Sequence, residues 1–146
     1  MNNRIARSKS TLFLIELILA IGIFAVASAI CIQLFVRAHL LSKESEAITH
    51  SLYAATSAAE VFKATNGQPG PMAELLSASD ENGQLVVYYN STWEIVPSPV
   101  PGGFVMRIGF DFISQPAEAL IRVNDAGGSE VYSLMAKKYI SGEVAS

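Results

Sequence analysis

The sequence predicts an α+β chain in which a long N-terminal helix packs on a four- to five-stranded antiparallel sheet. Three observations predict it: an apolar run over residues 12–36 broken by a single charge, a helical stripe that continues past it, and period-two alternation from Gln84 onward. No proline occurs between residues 11 and 65, and the first strong stop is Asn66-Gly67, followed by Pro69 and Pro71. At about 1.5 Å per residue the helix is on the order of 80 Å long.

Residues 12–36 are too extended for the core of a cleaved signal peptide, and they match the roughly 20 residues that a spanning helix needs. They predict a retained membrane anchor. The preceding leader, residues 1–11, carries Arg4, Arg7 and Lys9 and no acid, which puts the N-terminus in the cytoplasm and the C-terminal domain outside; Arg37 and Lys43 lie on the far side. Residues 37–146 form the exported domain. Its helical part is amphipathic: Leu41, Ile48, Leu52, Ala55, Ala59 and Phe62 line one face, with Glu44, Ser51, Ser57 and Lys63 opposite.

After Asn66, Gly70-Pro71 opens a short helix ending about Ser77, and residues 80–83 read as a turn. Residues 85–90 and 92–96 read as paired strands around Asn90-Ser91. Phe104, Met106, Ile108, Phe110 and Phe112 alternate with Val105, Arg107, Gly109 and Asp111, the cleanest strand signature present. Residues 118–123 and 130–139 complete a meander whose apolar face calls for the helix as its cover. The loop 97–103 is stiff with prolines and then flexible with glycines, and reads as a connection.

Hydrophobic residues make up 51% of the 146, but they concentrate in the N-terminal run, so the remainder reads as one soluble domain with no room for a second. Net charge is −3; without the leader, seven basic residues face thirteen acidic ones, a balance of −6 that disfavours nucleic-acid phosphates. The one cysteine, Cys31, lies in the apolar run and reads as a small hydrophobe.

Motifs for chemistry are sparse. His39 and His50 are the only histidines, and neither has a partner at metal-ligand spacing. Asp80-Glu81-Asn82-Gly83 and Asn124-Asp125-Ala126-Gly127-Gly128 carry oxygen ligands but miss the spacing of a calcium loop, and both read as turns. Asn90-Ser91-Thr92 fits the glycosylation pattern inside a predicted hairpin. No phosphate loop, nucleophile elbow or carboxylate pair is present, so neither an enzyme nor a cofactor is expected.

The single charge in the apolar run is Glu16. A carboxylate centred in a bilayer costs roughly 2.5–3.5 kcal/mol, which calls for a partner or a route to water. The block Lys9-Ser10-Thr11-Leu12-Phe13-Leu14-Ile15-Glu16-Leu17-Ile18-Leu19-Ala20-Ile21-Gly22, behind a basic leader, resembles the N-terminal signature of type IV pilins and type II secretion or competence pseudopilins. The resemblance implies a pilin-like fold and cleavage between Thr11 and Leu12 by a membrane aspartyl prepilin peptidase. It further implies N-methylation of Leu12 and subunit assembly through Glu16 as the fifth mature residue. Thr11 stands where glycine or another small residue is usual, and a cut after Ser10 would make Glu16 the sixth residue. Leu12 replaces the usual phenylalanine, Phe13 the usual threonine, and Gln33 a proline common in major pilins, a combination that fits a minor pseudopilin. Implied partners are other pilin or pseudopilin subunits, the prepilin peptidase, a platform protein, an assembly ATPase and membrane lipid. The implied location is the bacterial inner membrane. The alternative is an unprocessed bitopic protein whose exported domain binds a ligand or the cell wall, with Glu16 snorkelling to water.

Overall fold

The computed structural model describes residues 3–113 and 115–139, with side chains from Lys9 onward, so the side chains of Arg4 and Arg7 and the segment 140–146 lie outside the described residues. It is an α+β structure. Two helices, α1 (Asn3–Ala64) and α2 (Pro69–Leu76), are followed by six strands: β1 (Ser79–Glu81), β2 (Gln84–Tyr89), β3 (Ile95–Val96), β4 (Phe104–Asp111), β5 (Ala117–Asp125) and β6 (Glu130–Lys138). The chain divides into two compact units, Met1–Glu44 and Ser45–Ser146.

In the first unit α1 is continuous and starts earlier than the sequence suggests, because residues 3–10 contain neither proline nor glycine to stop it. No side chain from Lys9 to Glu44 is buried, although most of them between Leu12 and Val36 are large and apolar. By length and composition this helix can cross a membrane. Ser28 donates its hydroxyl to the Phe24 carbonyl (2.8 Å), an i−4 bond within the helix.

In the second unit the sheet is antiparallel throughout, in the order β1-β2-β4-β5-β6. Strand β2 pairs with β4 along one edge; its other edge is shared by β1 at Gln84–Val86 and β3 at Tyr88 and Tyr89. The six strands exceed the expected four or five because β1 falls in what reads as a turn. Asn82 (φ 55°) and Gly83 (φ 79°) form a two-residue hairpin loop between Glu81 and Gln84, the left-handed pair that an Asn-Gly dipeptide favours. Strand β3, in contrast, is shorter than expected: the residues from Asn90 to Glu94 form a loop instead of continuing the ladder.

Alternation along β4 holds. Met106 and Ile108 are buried and Phe104 and Phe110 half-buried, while Phe112 falls beyond the strand, exposed but stacked on Phe110 at 5.5 Å. Leu85, Val87, Ala119, Ile121, Val123 and Ala136 join this core from the neighbouring strands, and Met72 and Leu76 close it from α2. Each large side chain removed from water contributes about 1.5–3 kcal/mol.

The helix covers this face with a stripe that keeps Ala55, Ala59 and Phe62 of the expected one and changes the rest. The buried α1 positions are Ser51, Ala55, Ala58, Ala59 and Phe62, whereas Ile48 and Leu52 remain 43% and 41% exposed. Leu41 belongs to the other unit and is exposed, and Ser51 is fully buried, not on the polar face. Small side chains let the helix approach the sheet closely, so Ser51 and the alanines take the contact beside Phe62, and Ile48 and Leu52 flank it.

The end of α1 is built by a Schellman cap. Asn66 adopts a left-handed conformation (φ 53°), and the Gly67 N–H donates to the Phe62 carbonyl at 2.9 Å. Gly67 (φ 74°) has no room for a side chain, since a Cβ there would lie 2.9 Å from the Phe62 ring and 3.1 Å from Phe112. Lys138, from β6, donates to the Lys63 carbonyl and to Asn66 Oδ1 at 2.6 Å, placing a cation at the negative end of the helix dipole.

Candidate functional site

Thr11, Leu12 and Glu16 all lie on exposed helix in the first unit. Leu12 and Glu16 are four residues apart, so they share a helix face with side chains one turn from each other. The surroundings are apolar: Leu12, Phe13, Ile15 and Leu17 are each about half exposed or more, and Leu19, Ile23 and Ile30 continue the apolar surface. Among the described residues the ion pairs are His50–Glu46, Arg122–Glu130 and Lys137–Glu118, and none reaches Glu16. Glu16 is therefore an acid on an apolar helix surface with no basic partner among the described side chains of its own chain. Such a group is satisfied by water at a membrane boundary or by a cation from another molecule.

Elsewhere most of the residues singled out in the sequence are committed to local structure, whereas His39 and Cys31 are exposed on α1. His50 stacks on Trp93 (centroids 5.3 Å apart, planes 16° apart), and Trp93 also stacks on Phe104 at 4.2 Å. Tyr89 leans against the same indole at 5.7 Å. His50 thus clamps the β2–β3 loop to the helix. Trp93 holds a left-handed backbone (φ 64°), costly for a bulky side chain and stabilised here by the two stacked rings.

The Asn90 side chain organises that loop. Its Oδ1 accepts the N–H groups of Thr92 and Glu94 and the Thr92 hydroxyl, and its Nδ2 donates to Glu94 Oε2 at 2.8 Å. The amide of the apparent glycosylation pattern is thereby engaged in the turn. Glu94 also accepts the Thr92 hydroxyl, and these two hydrogen bonds, that from Asn90 being the larger influence, hold its carboxyl below the usual range. Two tyrosines shift the other way: the hydrogen bond to Glu81 raises Tyr88, and burial raises Tyr89.

Both acidic turns close backbone, as their composition suggests. Asp80 Oδ1 accepts the Gly83 N–H at 3.0 Å, and Asp125 Oδ1 accepts that of Ser129 at 2.8 Å. No cluster of three or more metal-ligating side chains occurs among the described residues.

One arrangement escaped the sequence entirely. Arg107 of β4 and Arg122 of β5 sit directly opposite each other on the sheet face turned away from α1, and only the strand register could have revealed it.

Compared with protein-family models, curated proteins and solved structures, the chain matches none.

Proposed function

We propose that the chain is a minor pseudopilin or pilin-like structural subunit, assembled from the membrane into a filament of the type II secretion, competence or type IV pilus kind. The observation that carries this reading is Glu16, unpaired among the described side chains on an apolar helix and four residues after Leu12. Cleavage between Thr11 and Leu12 by a prepilin peptidase creates an amino terminus, which is then methylated. When helices stack, the carboxylate of one subunit meets the positive terminus of its neighbour. Each group is costly alone in an apolar setting, and together they satisfy one another. The pair selects the axial stagger, and apolar contacts along α1 supply most of the cohesion.

In this reading the subunit enters the inner membrane once, with its N-terminus in the cytoplasm and the α+β unit outside. Basic residues of the leader favour that orientation. A separate platform protein and ATPase supply the mechanical work.

Crosslinking between subunits in membranes tests the pairing. The Glu16→Ala and Glu16→Gln variants are expected to insert normally yet lose crosslinks to their neighbours. Wild-type levels of crosslinking in both variants would show that the carboxylate plays no part in assembly.

A further inference from the structure

The face of the sheet opposite α1 carries a pair of like charges that the fold does not require. Arg107 and Arg122 are register partners on adjoining antiparallel strands, where Cβ atoms lie about 4.5–5.5 Å apart and like charges destabilise the pairing. Both are exposed. Among the described residues Arg107 has no ion pair, and Arg122 meets only Glu130, at 3.6 Å through Nε and with both side chains about half exposed. The other cations of this unit at the sheet are committed: Lys137 to Glu118 at 2.6 Å, and Lys138 to the end of α1. Two guanidinium groups thus stand side by side on a domain that is acidic overall.

Beside them the surface is hollow. Gly109, two residues along β4 on the same face, contributes no side chain, and the nearest atom to a Cβ built there is Gln84 Nε2 at 3.7 Å. The resulting depression, about 290 Å³, is bounded by both arginines, Gln84, Asn124, Leu120 and Glu130, the carboxylate that meets Arg122. Leu120 pairs in register with Met135, which is half exposed, so an apolar shelf adjoins the basic pair.

We propose that this hollow docks a carboxylate-bearing segment of a partner protein, with acidic side chains on the two arginines and an apolar side chain on the Leu120–Met135 shelf. Each guanidinium offers planar paired donors that match a carboxylate bidentately. The volume accommodates a few side chains, not a folded domain. Glu130 at the edge of the hollow and Glu118 on the same face limit the excess positive charge, so one or two carboxylates match the site and an extended polyanion such as a nucleic acid does not. The site is independent of Glu16 and of the assembly reading above.

The test uses the full chain in detergent micelles and a short fluorescein-labelled peptide holding two glutamates around one leucine, followed by anisotropy. Saturable binding is expected, weakened at least tenfold in Arg107→Gln and in Arg122→Gln and unchanged in Lys63→Gln, which makes the same charge change elsewhere. Both arginine variants are expected to melt no lower than the parent, since each relieves like-charge repulsion. Absence of binding by the parent, equal binding by the arginine variants, or displacement of the peptide by equimolar inorganic phosphate would overturn the proposal.

Discussion

Lys138 Nζ lies 2.6 Å from Asn66 Oδ1 and also donates to the Lys63 carbonyl, joining the last strand of the sheet to the end of α1 across more than seventy residues of chain. The contact satisfies a carbonyl that the ending helix leaves without a partner. It also sets a positive charge against the helix dipole. Lys138→Met keeps the stem and removes the charge, and it is expected to lower stability by about 1 kcal/mol. Thermal melts at low and high salt check this: the loss should shrink as salt screens the interaction.

Ser51 is the one described side chain with a buried polar atom and no hydrogen-bond partner. Burying an unsatisfied hydroxyl costs about 1–3 kcal/mol, and the position already belongs to a stripe of alanines. Ser51→Ala is expected to raise the melting temperature, with a gain of roughly 1 kcal/mol in denaturant unfolding. A fall in stability would mean that the hydroxyl has a partner.

At Gly103 a Cβ would lie 2.2 Å from the Tyr89 carbonyl oxygen, a backbone atom that cannot move aside without breaking the start of the β2–β4 ladder. Gly103→Ala is expected to destabilise by roughly 1–3 kcal/mol. Gly70→Ala, in α2 with nothing within 4 Å of the new methyl, is the control and should be neutral or mildly stabilising. Chemical denaturation of the two variants side by side gives the comparison.

Glu94 connects the hairpin loop to pH. Its carboxyl lies below its ordinary value of 4.5 in the folded chain, so its contribution is present above that value and is lost as pH falls through the lowered folded value. Trp93, the only tryptophan, is the adjacent residue and reports the loop by fluorescence. An acid transition in that signal is expected in the parent and should be absent in Glu94→Gln.

Much of the fold is legible in the sequence because long periodic segments leave little choice. The α1 pattern runs unbroken to Asn66-Gly67, and the alternation from Phe104 to Asp111 fixes which side of β4 faces the core. What escaped depends on neighbours that the local pattern does not contain. Strand β1 has an Asn-Gly turn but no apolar alternation, since Ser79, Asp80 and Glu81 are all exposed. Strand β3 is cut short because Trp93 leaves the extended region and stacks on His50 and Phe104. Ala55, Ala59 and Phe62 of the expected helix stripe are buried, but close packing takes Ser51 and Ala58 in place of Ile48 and Leu52. Glu16 stands out as a charge among apolar residues, but the opposition of Arg107 and Arg122 exists only once β4 and β5 are in register.

In the proposed subunit, processing between Thr11 and Leu12 supplies the amino terminus that Glu16 pairs with. Intact-mass measurement of the protein extracted from its own membranes tests it most directly. The expected product is a chain beginning at Leu12, lighter by residues 1–11 and heavier by one methyl group. A full-length, unmodified chain would contradict it.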